Sequence, residues 1–136
     1  MLTDSLFNMF SLHIVSEKVK TILSDLALDY LELHPVTILN HKNRPTDENY
    51  FLVQPVGNVD CIDQAASNIK FSNIIKTNIN RIRSLVLDET KIPANKPIFL
   101  LDHFGQNLVV HHSVAKTLED AGVTGILWTP IDKFKY

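Results

Sequence analysis

Asp60, Cys61 and Asp63 place two carboxylates and the chain's one cysteine within four positions, in "NVDCIDQAAS" (58–67). Paired carboxylates can share a divalent cation or pass a proton between them when they face one another. On a helix, positions i and i+3 share a face and the pair converges. On a strand they point to opposite faces. The stretch follows Gly57-Asn58, a turn dipeptide, so both conformations stay open. A cation also needs a third or fourth ligand, and no histidine lies between His41 and His103. The plainer reading makes Asp63 the cap of a turn or short helix at "QAAS" and Cys61 a small buried hydrophobe.

His111 and His112 are the second cluster with ligand chemistry. Neighbours on a strand diverge, which sets them up poorly for one shared ion. The stretch "KPIFLLDHFGQNLVV" (96–110) reads as a hairpin with Gly105-Gln106 at its tip. That tip would set His103 opposite Leu108 and His111 opposite Leu100, gathering no trio of imidazoles. An exposed or helix-starting role suits the pair better. No Gly-x-Ser-x-Gly elbow and no phosphate-binding loop exist among the four glycines. The expectation is a protein that is not an enzyme and that carries no cofactor and no metal. The competing reading is a small hydrolase-like or metal-binding enzyme using Asp60, Asp63 and a distant histidine.

The elements that hold these residues must come from 136 positions, enough for one domain with a real core. A hydrophobic share of 45% with 21% charged residues excludes a disordered chain. Thirteen Lys and Arg against fifteen Asp and Glu give a net charge of −2, without runs. No basic stripe is present to replace the counterions of a nucleic acid, so no direct nucleic-acid partner is expected. Tyr30, Tyr50, Phe51, Phe99, Phe104 and Trp128 are spread through strand-like segments and read as core. "MLTDSLFNMFSLHIV" carries Asp4 and lacks a basic start, unlike a signal peptide. No stretch approaches the length of a membrane span. A soluble cytoplasmic protein is expected, with residues 2–10 packed onto the domain.

The two ends of the chain align without a gap: "HIVSEKVKTILSDLALDYLELHPV" (13–36) over "LVVHHSVAKTLEDAGVTGILWTPI" (108–131). Val19 falls on Val114, Leu23 on Leu118, Asp25 on Asp120 and Pro35 on Pro130. Each copy reads as short strand, helix, strand. Val19, Ile22, Leu23 and Leu26 form one helical stripe, repeated by Val114, Thr117, Leu118 and Ala121. Ser16 and Ser113 are the candidate N-caps, and Gly122 is placed to end the second helix. "YLELHPVTIL" and "GILWTPI" follow as strands whose prolines suit an edge or a bulge. Between the copies, "HKNRPTDEN" is a polar loop, and "YFLVQPV" (50–56) and "RIRSLVLD" (81–88) are strands. Residues 67–80, isoleucines and a phenylalanine among asparagines and lysines, show no clear period. The sum is an α+β fold, mostly antiparallel sheet with two helices, in one domain over 1–136.

The order of "IVSEKVKTIL", "NYFLVQPVGNVDCID", "IRSLVLDETKIPANKPIFLL" and "LVVHHSVAKTLEDAGVTGILWTPI" resembles the eleventh catalogued family of immunity proteins from bacterial polymorphic toxin systems. The resemblance runs from about residue 6 to residue 132. Because the chain starts almost at "SLFNMFSLHIVSEKVK", it reads as a short member. The resemblance implies a cytoplasmic protein that binds and neutralises a cognate toxin in interbacterial competition. It carries no catalytic residues across. If the toxin is a nuclease, carboxylates that mimic phosphate are the expected anchors. Asp47, Glu48, Asp60, Asp63, Asp88 and Glu89 are then the candidate toxin-binding residues. A second copy of the chain, pairing through the proline-interrupted strands as a homodimeric scaffold, is the other partner considered.

Overall fold

The computed structural model of the chain describes every residue except Met1, Phe7 and Phe10. The described elements run β1 (Ser5–Leu6), β2 (Ile14–Ser16), α1 (Glu17–Asp25), β3 (Leu31–Val36), β4 (Tyr50–Pro55), β5 (Asn58–Val59), β6 (Asn68–Phe71), β7 (Ile79–Ser84), β8 (Ile98–Leu101), β9 (Phe104–Val110) and α2 (His112–Asp120). Strand pairing is antiparallel throughout except between β5 and β8, so the architecture is the α+β fold expected. No described helix is long and apolar enough to cross a membrane. The chain divides into two compact units, one holding the residues up to Val56 with His112–Ile126, the other Gly57–His111 with Leu127–Tyr136.

In the first unit the strands lie in the order β1-β2-β4-β3. β3 is an edge strand, which is why Pro35, with no N–H to donate, fits within it opposite Phe51. Val15, Tyr50 and Val53 of this sheet are buried, as are Val19 and Leu23 of α1 and Val114 and Leu118 of α2. The ungapped alignment of the chain ends carries α1 onto α2 residue for residue, and the buried pairs coincide. Ser16 is the N-cap of α1, its hydroxyl accepting from the Val19 N–H at 3.4 Å. Ser113 is not the cap of α2: the helix starts one residue earlier, at His112, and Ser113 lies in its first turn. The Ser113 carbonyl instead accepts from Thr117 Oγ1 at 2.9 Å.

Gly122 ends α2 as expected, at φ +73. Its N–H donates to the Glu119 carbonyl and that of Val123 to the Leu118 carbonyl, which together satisfy two of the helix's last acceptors. The equivalent residue after α1 is Ala27, which adopts φ +52 and donates to Ser24. The strand expected after the second helix does not form: "GILWTPI" holds no strand. Thr124 and Gly125 face the N-terminal segment instead, and Pro130 leads into a 3-10 turn at Ile131–Lys133.

That N-terminal segment is tied down by Asp4. Its carboxylate accepts from the Ser16 hydroxyl at 2.7 Å and from the Thr124 N–H at 2.9 Å. Tyr50, 1% exposed, donates its hydroxyl toward the Thr3 carbonyl at 2.7 Å and Glu48 at 3.1 Å. Burial first, then the bond and charge of Glu48, push its phenol up to about 12.

The second unit is built on β5-β8-β9 and the separate pair β6-β7. All four residues of β8 are buried, and two of them, Phe99 and Leu101, join Val59, Cys61, Ile62, Ile79, Ile82, Leu85 and Phe104 in the unit's core. The hairpin tip is not Gly105-Gln106. Leu101 pairs with Phe104, so Asp102 and His103 make the turn, and Gly105-Gln106-Asn107 fall in the irregular, exposed part of β9. The cause is Phe104, buried edge-on against Tyr136 at 4.9 Å and Phe134 at 6.0 Å between ring centroids. Seating that ring moves the reversal three residues earlier, and His103 takes the left-handed conformation at φ +68. Ile82 and Tyr136 exchange two backbone hydrogen bonds, both 2.9 Å, which fixes the aromatic pair in place.

Candidate functional site

The six acidic candidates split between the units. Asp47 and Glu48 lie in the first, on the polar loop before β4, where Glu48 accepts from the Tyr50 hydroxyl. Asp60, Asp63, Asp88 and Glu89 lie in the second, and the backbone brings their segments together. Ile62 bridges Leu87, the Asp63 N–H donates to the Val86 carbonyl at 2.9 Å, and the Asp88 N–H to that of Cys61 at 2.7 Å. Asp60, Asp63 and Asp88 therefore line two adjoining extended segments, with Glu89 opening the 3-10 turn that follows and Cys61 fully buried between them.

Within this group the carboxylates differ in what they already hold. Asp63 caps a turn: Oδ1 accepts from the Ala66 N–H at 3.1 Å, and its carbonyl from that of Ser67 at 2.9 Å. Asp88 caps the 3-10 turn at Glu89–Lys91, accepting from the N–H and the hydroxyl of Thr90. Those bonds, aided by Lys91, hold its carboxyl below the usual carboxylate range. Asp60 and Glu89 are exposed and cap nothing among the described residues. The extended backbone between Asp60 and Asp63 keeps that pair from converging on one ion.

Burial pushes the Cys61 thiol up, and the charges of Asp60 and Asp88 add to the effect. A protonated thiol with no exposed surface is an unreactive core residue.

Asp60 meets other partners. The β5–β8 pairing sets Val59 beside Leu101, and the Asp102 N–H donates to the Val59 carbonyl at 2.9 Å, so the two aspartates emerge side by side. His103 follows in the turn, and the ligand atoms of Asp60, Asp102 and His103 lie within 4.8 Å of one another. Local sequence hid this trio, because the histidine is supplied by a turn some forty residues further on. His111 and His112 are both exposed, and His112 begins α2.

A second surface feature also went unread in the sequence. Between β6 and β7, Ile74 is 91% exposed and Ile75 54%, beside the exposed Lys76. Their spacing matches neither a strand nor a helix because they sit on a turn, held by the Ser72 hydroxyl accepting from both their N–H groups. Apolar side chains displayed this way contribute nothing to the core and suit burial by a partner.

Comparison with known families gives one finding: the model of the immunity protein family (Imm11) matches residues 1–133. No curated protein matches the chain.

Proposed function

The chain belongs to the Imm11 family of immunity proteins, and from that premise we propose that it neutralises a cognate bacterial toxin by stoichiometric binding, in the cytoplasm and without catalysis. The observation that carries this reading is the extent of the family match, residues 1–133 of the 136. The contact surface proposed in the second unit is the acidic pair of segments, with Glu89 free to engage a basic partner and Asp60, Asp63 and Asp88 adding charge beside it. Asp47 and Glu48 form a separate acidic point on the first unit. An interface of this kind buries about 1,200–2,000 Å² in total, with a few anchors carrying most of the affinity. A second copy of the chain is a poorer partner for the open edge of β3. That edge carries Pro35 and the exposed Glu32 and His34, features that discourage strand addition.

The test is co-expression with the toxin encoded beside this chain, scored by survival and by co-purification. The wild type is expected to protect and to form a one-to-one complex. Asp60→Lys with Glu89→Lys is expected to weaken the complex by about 30-fold or more, with an unchanged melting temperature of the EDTA-stripped chain. The pair Ile74→Asp and Ile75→Asp tests the apolar turn in the same assay. Failure of the wild type to protect or to bind would sink the function. Loss only in the isoleucine variant would move the interface off the acidic surface.

A further inference from the structure

With fifteen Asp and Glu and six His in the chain, the described residues form a single grouping of three metal-ligand side chains, Asp60, Asp102 and His103. We propose that these three residues bind one divalent transition-metal ion of the Zn2+ class. The site goes beyond toxin neutralisation and does not depend on it.

The strongest support is the orientation of His103. Its Nδ1 lies 2.8 Å from the Thr77 carbonyl, an oxygen that can only accept, so Nδ1 carries the hydrogen. This is the arrangement by which metal-binding histidines are aimed, one ring nitrogen donating to the protein and the other left to coordinate. Phe71 packs edge-on against the ring at 5.9 Å, and the Ile79 N–H donates to the His103 carbonyl at 2.9 Å. The ring is thus held from a neighbouring strand and from its own backbone. Its free nitrogen, Nε2, faces Asp102 Oδ2 at 3.7 Å. Asp102 is fixed in turn, because its Oδ1 accepts from the His103 N–H at 3.1 Å.

With the hydrogen on Nδ1, an Nε2 lone pair would face two carboxylates, three acceptors with no donor among them. A proton on Nε2 answers this poorly, since 3.7 Å is too long for a hydrogen bond and Asp60 would be left unserved. A cation serves all three. Ligands about 2.0–2.2 Å from a tetrahedral Zn2+ stand roughly 3.3 Å apart. The Nε2–Oδ2 pair needs only a small closing movement to reach that spacing, and the exposed Asp60 side chain can swing the remaining distance. The imidazole favours Zn2+ and its transition-metal neighbours over Mg2+ and Ca2+, which prefer all-oxygen shells. Three protein ligands leave one position for water.

Titration calorimetry of ZnCl2 into the full chain, stripped with EDTA and dialysed, tests the site. The wild type is expected to bind one ion per chain and to melt at higher temperature with it. Asp60→Asn and His103→Asn are each expected to weaken binding at least about tenfold and to abolish the shift in melting. Asn keeps the left-handed turn accessible at position 103; should that variant still fail to fold, Asp60→Asn, at an exposed position, decides alone. His34→Asn, which removes the exposed pair of His34 with Glu32 at 2.8 Å, is expected to change nothing. No binding by the wild type, or undiminished binding in Asp60→Asn, overturns the proposal, as does equal loss in His34→Asn.

Discussion

Replacing Asp4 with Asn puts the anchoring of the N-terminal segment to a quantitative test. The carboxylate receives three hydrogen bonds, from the Ser16 hydroxyl at 2.7 Å, the Thr124 N–H at 2.9 Å and the Thr124 hydroxyl at 3.1 Å. Asn has one acceptor in place of two. Its best orientation turns the oxygen to Thr124, whose N–H cannot reverse, and the amide to Ser16, whose hydroxyl can. All three bonds survive in some form, but each loses its charge. Charged hydrogen bonds contribute about 1.5–3 kcal/mol where neutral ones contribute about 1, and the half-buried setting places the net loss near 1–2 kcal/mol.

The pH dependence gives the sharper reading. Burial raises the carboxyl of Asp4, but the bonds from Ser16 and Thr124, with the charge of Lys18, outweigh it and leave the group below its ordinary 3.8. A depressed carboxyl stabilises the folded chain fully above its unfolded value and loses that contribution as the pH falls through the folded one. Urea unfolding of both proteins should therefore show a gap of about 1–2 kcal/mol near neutral pH that shrinks as the pH falls below about 4. A gap that stays constant across that range, or one below about 0.3 kcal/mol at neutral pH, would refute the account of Asp4 as a charged anchor.

Other outcomes follow from the same geometry. Ala27→Gly should stabilise the chain by about 0.5–1 kcal/mol, because Ala27 holds the left-handed conformation that glycine fills at the equivalent Gly122; thermal melting reads it. Gly125→Ala should cost more than about 2 kcal/mol, since a Cβ there would approach the Ser5 carbonyl within van der Waals contact at a φ of +82. Limited proteolysis should then show the N-terminal segment released before the rest. The Cys61 thiol, fully buried and pushed up by burial, should react with a disulfide reagent only at the rate of unfolding, and fast modification of the folded chain would contradict its place in the core.

Features set by a few neighbouring residues were legible in the sequence. The stripes of α1 and α2, the Ser16 cap, the Gly122 terminator and the turn capped by Asp63 each depend on side chains within four or five positions, where spacing alone decides the outcome. The burial of Cys61 and the edge position of Pro35 follow as directly, one from apolar character and the other from a missing N–H. The α+β class rests on those local periods, and the ordered motifs were enough to point to the family. The alignment of the two copies carried α1 onto α2, while the cap proposed at Ser113 missed the start of α2 at His112.

The tertiary structure decided what depends on distant partners. "GILWTPI" has a strand-like composition, yet a strand exists only where another pairs with it, and Thr124 and Gly125 are held by the N-terminal segment. The hairpin turned at Asp102-His103 and not at Gly105-Gln106 because Phe104 had to reach Phe134 and Tyr136, some thirty residues away. That displacement, together with the parallel register of β5 on β8, brought a histidine and a second aspartate to Asp60. Local spacing had offered Asp63 as its partner, but an extended backbone turns that pair apart. Residue types are written in the chain; which of them meet is determined by the burial of side chains far along it.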